Sequence, residues 1–442
     1  MAVLECCNVQ PSPEPATELV IPLVHFDIVF LLFHPIQRLL FFEFPCSKSQ
    51  FLETIVPRLK DSFAQSLSDF LPLAGKIFCP VDSGRPVSRF TPGDSVPLTI
   101  AESEKDFDVL TGNQPRLADD FYDCVPEIPP AKRSENEVVF PALALQITLF
   151  PGRGVCLGIA NDHGIGDASS IVRFIKHWAS VNSFAGDRFP PVLDRTTVVD
   201  PEGLDSINWN VVKKSRPMES SAIHFPINKF RSTYTLSNDD VQRLKRFVLK
   251  NRPGVHVTTF TVTCGLVWAC LAKAESAVAA VADDESEYFA FPADSRGRLN
   301  PPLPASYFGN CLALVKAEIS HGSLKGDGGF VEAAARLGDA IKKTVYNPAG
   351  ILDGAETWLE EFGELVRKRL FGVAGSPRFD LYDVDFGWGR PRKFEAASID
   401  LDTSMSLCKS RGGDGGVEIG LSRRKDVLDA FAAAFAETLD KL

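Results

Sequence analysis

Short apolar runs alternate with stretches of helical spacing along the whole chain, and the sharpest junction between the two lies at 155–171. Val155-Cys156-Leu157-Gly158-Ile159-Ala160 reads as a buried strand. From Ala168 onward, Ile171, Val172, Phe174, Ile175, Trp178 and Val181 recur at helical spacing. Leu143 to Leu149 predicts a partner strand, joined to the first as a hairpin through Pro151-Gly152-Arg153-Gly154. Between strand and helix stands Asn161-Asp162-His163-Gly164-Ile165-Gly166-Asp167, which lifts a histidine to a strand end.

The same reading carries along the rest of the chain. Met1 to Thr17, Pro-rich and polar, predicts a disordered lead-in. Leu39 to Phe44 predicts a strand closed by Pro45. A helix begins near Ser49 with Phe51, Ile55, Leu59, Phe63, Leu67 and Phe70 on its apolar stripe, and Pro57 kinks it or marks its start. Leu71 to Lys76 forms a turn into a strand at Ile77 and Phe78, and Val81 to Lys132 predicts edge strands and long loops. Periodicity vanishes from 185 to 224, which reads as a crossover linker between two halves. Strands follow at Phe230–Leu236, Phe289–Asp294, Leu312–Ala317, Phe379–Phe386 and Phe394–Ser398, with another pair around the Arg411 to Gly416 turn. Helices follow Ser237, Thr258 or Thr259, and span Phe330–Tyr346, Glu356–Leu370 and the closing Val427 to Leu439. The class is therefore α/β or α+β, with an N-terminal domain over 18–184 and a C-terminal one over 225–442.

A chain of 442 residues, 45% hydrophobic and 24% charged, can bury substantial cores without staples. Its net charge of −10 argues against nucleic acid or an anionic membrane as a partner. Leu19 to Phe44 is broken by Pro22, His25, Asp27, His34, Pro35, Arg38 and Glu43, so it does not read as a membrane span. The ten cysteines lack paired spacing, which fits reduced thiols in the cytosol and no metal site.

His163 can act as a general base or be a packed, hydrogen-bonded core histidine. Asp167 can cap the following helix. Gly-x-Ser-x-Gly, the Walker lysine loop and Gly-x-Gly-x-x-Gly are absent, which removes serine hydrolase, NTPase and dinucleotide oxidoreductase classes. A second unusual stretch is Asp385-Phe386-Gly387-Trp388-Gly389, whose glycines suit a sharp turn under a packed aromatic or a close approach to a ligand.

Together, His163-Gly-Ile-Gly-Asp167 and Asp385-Phe-Gly-Trp-Gly389 resemble the H-x-x-x-D and D-F-G-W-G motifs of the plant BAHD acyltransferases. Tyr307-Phe308-Gly309-Asn310-Cys311 resembles the Y-F-G-N-C string of that family's anthocyanin and flavonoid-glucoside branch. The similarity covers the chain after the lead-in; where the family usually has Gly after the motif aspartate, Ala168 stands here.

The resemblance implies two chloramphenicol-acetyltransferase-like domains with a solvent channel between them, and no permanently bound cofactor. The co-substrate is acyl-CoA, with malonyl-CoA favoured, and the acceptor is a sugar hydroxyl of a phenolic glucoside. A hydroxycinnamoyl transferase and a catalytically silent small-molecule or protein-binding relative are the alternatives. His163 is the implied base. Asp385 is a further catalytic candidate that the resemblance offers, although a structural part, with Gly387 and Trp388, is the preferred reading. Asp167 holds the loop, with Arg296 as its partner. Thr258 and Thr259, with Arg296 and Arg38, are candidates for CoA. Arg38, Arg173 and Lys176 could meet a malonyl carboxylate, although solvated surface is the preferred reading for each. A cytosolic monomer is expected.

Overall fold

The expected hairpin forms the middle of the first sheet. In the computed structural model, which describes residues 1–200, 203–215, 228–400 and 403–442, Leu143–Phe150 pairs antiparallel with Gly154–Asn161 without a break in register. Both strands are buried throughout, so a continuous apolar run, not alternation, is their signature. The sheet runs in the order Ala2–Val9, Val96–Glu102, Leu143–Phe150, Gly154–Asn161, Ile36–Glu43 and Lys393–Ala396.

The first of these strands corrects the expectation of a disordered lead-in: Ala2–Val9 pairs antiparallel with Val96–Glu102. An edge strand has one unpaired side in solvent, so Glu5 and Asn8 do not disqualify it, while Leu4, Cys7 and Val9 pack on the core. Val96–Glu102, expected among edge strands and loops, lies in the sheet interior, parallel to Leu143–Phe150.

Val56–Asp69 and Ala168–Ser183 cover this sheet, with Phe63 and Trp178 rings 5.0 Å apart. The first of these helices is preceded by a short helical segment, Lys48–Gln50, which starts near Ser49 as expected and is capped by Ser47. Pro57 has no N–H to donate, and the turn ahead of it, Phe51–Ile55, opens to π spacing before the regular helix starts at Val56.

A second sheet runs Leu312–Ser320, Ser286–Asp294, Arg369–Gly375, Ser404–Lys409, Val417–Arg423, Phe230–Leu236 and Arg116–Leu117. It carries its own core around Thr259–Val278, which Gly329–Val345 and Lys425–Asp440 flank. A smaller sheet contains Leu19–Pro22, Val87–Phe90, Lys76–Pro80, Glu137–Pro141 and Lys132–Arg133. Mixed α/β architecture in two sheet-and-helix bodies is therefore the class.

Two expectations about the C-terminal half need correction. The helix expected over 356–370 is shorter, Trp358–Leu365, and the strand expected at 379–386 lies earlier, at Arg369–Gly375. Gly372 and Gly375 hide that strand in the sequence; Pro377 and the turn at Leu381–Asp383 prevent one later. The strand expected at 394–398 exists as Lys393–Ala396, but it pairs with Ile36–Glu43 of the first sheet. The linker region contains the helix Leu204–Ser215, with Leu204, Trp209 and Val212 buried; 216–224 lies outside the described residues.

Each half thus lends a strand to the other, since Arg116–Leu117 pairs with Phe230 and Arg231 in the second sheet. Buried charges join the exchange. Arg116 Nη1 donates to Glu395 Oε1 at 2.6 Å, and Arg231 reaches Glu395 Oε2 at 3.2 Å and Asp400 Oδ2 at 2.8 Å. Glu395→Ala would leave two arginines short of a counter-charge in the interior. The expected loss is about 3–5 kcal/mol of stability, read as a lowered urea midpoint, with a smaller loss for Glu395→Gln.

Candidate active site

Asn161 ends the central strand, and Asp162 turns the chain by accepting the Gly164 N–H at 2.8 Å. His163 then begins a single 3-10 turn, after which Asp167 caps the helix Ala168–Ser183 by accepting Ser170 N–H at 3.0 Å. Ala168 takes up the first helical position in regular geometry, so the family's usual glycine is not needed there.

Asp167 is 1% exposed and Arg296 3% exposed, and they form a two-pronged ion pair. Arg296 Nη1 donates to Asp167 Oδ2 at 2.8 Å and Nη2 to Oδ1 at 3.0 Å. Arg296 also donates to the Tyr307 and Gly309 carbonyls. Burial alone would lower its pKa, but the Asp167 carboxylate outweighs that and raises it above the usual arginine value. Its donors are committed to protein, so Arg296 is a holding residue, which removes it from the candidates for CoA.

Tyr307-Phe308-Gly309-Asn310-Cys311 is the surface on which the histidine turn rests. Asn310 Nδ2 donates to the His163 carbonyl at 2.9 Å, and Cys311 N–H to Asp167 Oδ2 at 3.2 Å. Gly309 has φ +147°, and a Cβ there would stand 2.4 Å from Arg195 Nη2, so any other residue would strain the backbone and push that guanidinium aside. Asp27, fully buried, accepts from Asn310 N at 2.7 Å and Arg195 Nε at 3.3 Å; Arg195 Nη1 in turn donates to the Phe308 carbonyl at 2.6 Å. Sequence reasoning missed Asp27 as a site residue. Its signal was a lone acid inside an apolar run, which demands a buried partner.

The His163 ring lies nearly parallel to Phe30, with centroids 4.1 Å apart, and Phe33 leans on it from 5.8 Å. Among the described residues Nδ1 is buried without a hydrogen-bond partner, while the residue as a whole is only half-buried, which leaves Nε2 as the nitrogen on which a reactant could draw. Burial pulls the pKa down from the ordinary 6.5 to about 4; Arg38 adds to the fall, while the ring's own main chain and Asp167 oppose it. The imidazole is therefore neutral at neutral pH, with a lone pair available.

Asp385 is elsewhere. Its Oδ1 accepts N–H bonds from Gly387, Trp388 and Gly389 at 2.7, 3.0 and 2.9 Å, closing a turn in which Gly387 has φ +90°. The turn sets Phe386 against Phe42 and Trp178, and stacks Trp388 on Phe44. Asn182 Nδ2 holds the Phe386 carbonyl at 2.7 Å, at the far end of the helix that Asp167 begins. At ~1.5 Å per residue, that contact lies about 22 Å from Asp167. Asp385 is thus a turn former remote from the imidazole, which corrects its place among the catalytic candidates.

The other candidates are scattered. Thr258 caps Thr259–Val278 in a reciprocal pair with Thr261, leaving Thr259 half-buried in the first turn. Arg173 donates to the Ala305 carbonyl at 3.2 Å, and Lys176 lies 3.6 Å from Asp383. Arg38, preferred above as surface, is buried in the first sheet beside Asn161.

Two further clusters have chemical shapes without the chemistry. Ser276 Oγ, His321 and Glu287 are linked by 2.6 Å contacts like a nucleophile relay. Glu287 is also bound by Arg369, and Ser276 sits at a helix C-terminus whose dipole opposes an oxyanion, so the relay ties helix to sheet. His25 with Asp200 and Asp205 has ligand-like spacing, but Asp205 already accepts from the His25 main chain at 2.6 Å and pairs with Arg85. A cavity of about 330 Å³ lined by Leu204, Arg298, Asn300, Ile351, Asp353 and Glu356 contains neither His163 nor Arg38.

Two substitutions separate holding from turn-forming. Asp167→Ala, which strands Arg296 in the interior, is expected to lower turnover at least 100-fold through misplacement of His163. Asp385→Ala is expected to cost about 1–2 kcal/mol of stability with turnover within a few-fold of the parent. Thermal melts and steady-state rates on the same preparations check both.

Known proteins resemble this chain in sequence and fold. The chain is 44% identical to phenolic glucoside malonyltransferase 1 of Nicotiana tabacum over 92% of this chain and 91% of the relative. It is 41% identical to a malonyl-coenzyme:anthocyanin 5-O-glucoside-6'''-O-malonyltransferase of Salvia splendens, over 99% and 95%. Vinorine synthase shares the fold with a TM-score of 0.73 at 20% identity, over 99% of this chain and 98% of that one. A family model described as the Transferase family matches residues 6–438. With its motifs in place on that fold, the chain belongs to this transferase family, the BAHD acyltransferases.

Proposed function

We propose that this protein transfers a malonyl group from malonyl-CoA to a sugar hydroxyl of a phenolic glucoside, with His163 as general base. The observation that carries the reading is the His163 ring: neutral, fixed by its own carbonyl's bond to Asn310, and open at Nε2. Relatives at 41–44% identity that act with malonyl-CoA or on phenolic glucosides support the choice of donor and acceptor.

In the reaction, Nε2 takes the hydroxyl proton as the oxygen attacks the thioester carbon. The tetrahedral intermediate collapses, the C–S bond breaks, and the imidazolium returns its proton to the departing thiolate. Ester and free CoA leave; no acyl-enzyme forms. Base assistance of this kind contributes about 10²- to 10⁴-fold. Phe33, stacked on Phe362 and leaning toward His163, offers aromatic faces for the acceptor's phenolic rings. The first turn of Thr259–Val278 is suited to a CoA phosphate, because a helix N-terminus presents free N–H groups. The free thiols, of which only Cys6 is exposed and Cys7 half-buried, favour a reducing compartment, the cytosol. Among the described residues no helix is long and apolar enough to cross a membrane.

Purified protein with malonyl-CoA and a flavonoid glucoside is expected to give a malonyl adduct by mass spectrometry, and His163→Ala is expected to lose 10²-fold or more of the rate. A wild-type protein that yields no adduct with any acyl-CoA overturns the enzyme reading. Because burial depresses the His163 pKa to about 4, kcat/KM should hold steady as pH falls through 6.5. It should drop only on the acid side of about 5, where the free ring starts to protonate; pH–rate profiles check this.

A further inference from the structure

Helix Trp358–Leu365 carries an apolar stripe that the fold leaves mostly uncovered. Trp358, Leu359, Phe362 and Leu365 fall on one face at helical spacing, as in a helix packed on a core. Yet from Glu356 to Lys368 only Leu365 is buried. The chain is anchored on either side of this stretch, by buried Ile351 and Ala355 before it and by the strand Arg369–Gly375 after it. An element with so few buried contacts opens at low cost while its anchors stay folded.

The contacts of this helix reach both halves. Phe362 stacks on Phe33 of the first half with ring centroids 5.4 Å apart, and Phe33 in turn leans on His163. Leu359 packs against the core of the first sheet, whereas Glu361 pairs with Lys316 of the second sheet at 2.8 Å. The helix is thus held beside the imidazole by a ring stack and a partly exposed ion pair, each a weak contact. Ahead of it, Gly350, Asp353, Gly354 and Glu356 line the cavity of about 330 Å³, together with Leu204 and Arg298. Gly354 has φ +78°, and nothing stands within 4 Å of a Cβ there, so the entry to the helix turns in open space with room to move.

Resting on the acyl-transfer reading above, we infer that Trp358–Leu365 is a lid beside His163, which swings aside to admit the phenolic glucoside and closes on it, with Phe362 on Phe33 as its latch. The acceptor brings an aryl ring and a sugar to a half-buried imidazole, and the stacked rings stand at that approach. Parting the stack bares two aromatic faces. The acceptor's aryl ring restores the lost contact by lying against them, so the latch is exchanged for a substrate contact of the same kind. Closure then covers the apolar stripe and keeps water from the thioester, whose hydrolysis competes with transfer.

A reversible tether tests the motion. On a Cys6→Ser background, which removes the exposed thiol, Lys316→Cys and Glu361→Cys are joined by a short bismaleimide with a reducible disulfide in its spacer. Turnover of a phenolic glucoside with malonyl-CoA is expected to fall about 10-fold or more in the linked protein and to return to the unlinked value on reduction. Each single-cysteine variant treated with the same reagent is expected to keep its rate. Hydrogen exchange gives a second reading on the parent protein: amides of 356–368 are expected to exchange readily, and to slow about 10-fold or more with CoA and the glucoside bound. A linked protein that turns over at the unlinked rate, or a 356–368 segment equally protected with and without the bound ligands, overturns the lid. An unlinked protein that makes no ester from any acyl-CoA overturns the acyl-transfer reading instead, so the two failures are distinct.

Discussion

The structure around the imidazole depends on one buried ion pair, Asp167 with Arg296. Two charges in an apolar interior are stabilising only when geometry is good and the remaining donors are satisfied. Here Arg296 meets both oxygens of Asp167 and two carbonyls of the Tyr307–Cys311 segment, so the whole set is connected. The consequence is positional: the start of the Ala168–Ser183 helix cannot shift without breaking contacts to a segment 140 residues further on. Asn310 then fixes the main chain of His163 from that same segment, and Asp27 fixes Asn310. The ring itself needs only Phe30 as a flat neighbour, because its backbone is already held.

Both motif strings act on a single helix, one at each end. Asp167 and its arginine hold the N-terminal end; the Asp385 turn and Phe386 hold the C-terminal end through Asn182 and Trp178. Arg58 reinforces that end by donating to the Asn182 carbonyl at 2.9 Å. A rod clamped at two points far apart is constrained in direction as well as position, which a single clamp at His163 would not achieve. The Asp385 turn is thus tied to the end of the helix opposite Asp167.

The chemistry was more legible in the sequence than the topology. Strand-to-helix changes of period located His163 and its helix, because both elements are buried and strongly periodic there. The Asp167–Arg296 pairing followed from resemblance, and Asp27 was visible only as an unexplained acid in an apolar stretch. What the sequence hid was partnership. Nothing in Lys393-Phe394-Glu395-Ala396 says that it crosses into the first sheet, since the strand pattern is the same whichever sheet it joins. Its Lys393 and Glu395, which look like a solvated face, are buried beside Glu418, Arg116 and Arg231. Arg38 misled for the same reason: a charged residue reads as surface unless its partner, or the lack of one, can be seen.

In the acyl transfer proposed for this protein, a depressed His163 pKa would divide the help that the ring gives unevenly. A ring that resists protonation is a weak base toward a free alcohol, yet the alcohol's proton becomes acidic only as its oxygen bonds to the thioester carbon, when the ring need only catch what is already leaving. Once formed, the imidazolium is a strong acid in an environment that disfavours its charge. It gives up its proton readily to a departing thiolate, whose thiol form titrates far above it. On that reading, burial would shift the help given by His163 toward expulsion of the thiol and return of the ring to its neutral state. The first step then leans on positioning, which is the work of the buried network of Asp27, Arg195, Asn310, Asp167 and Arg296.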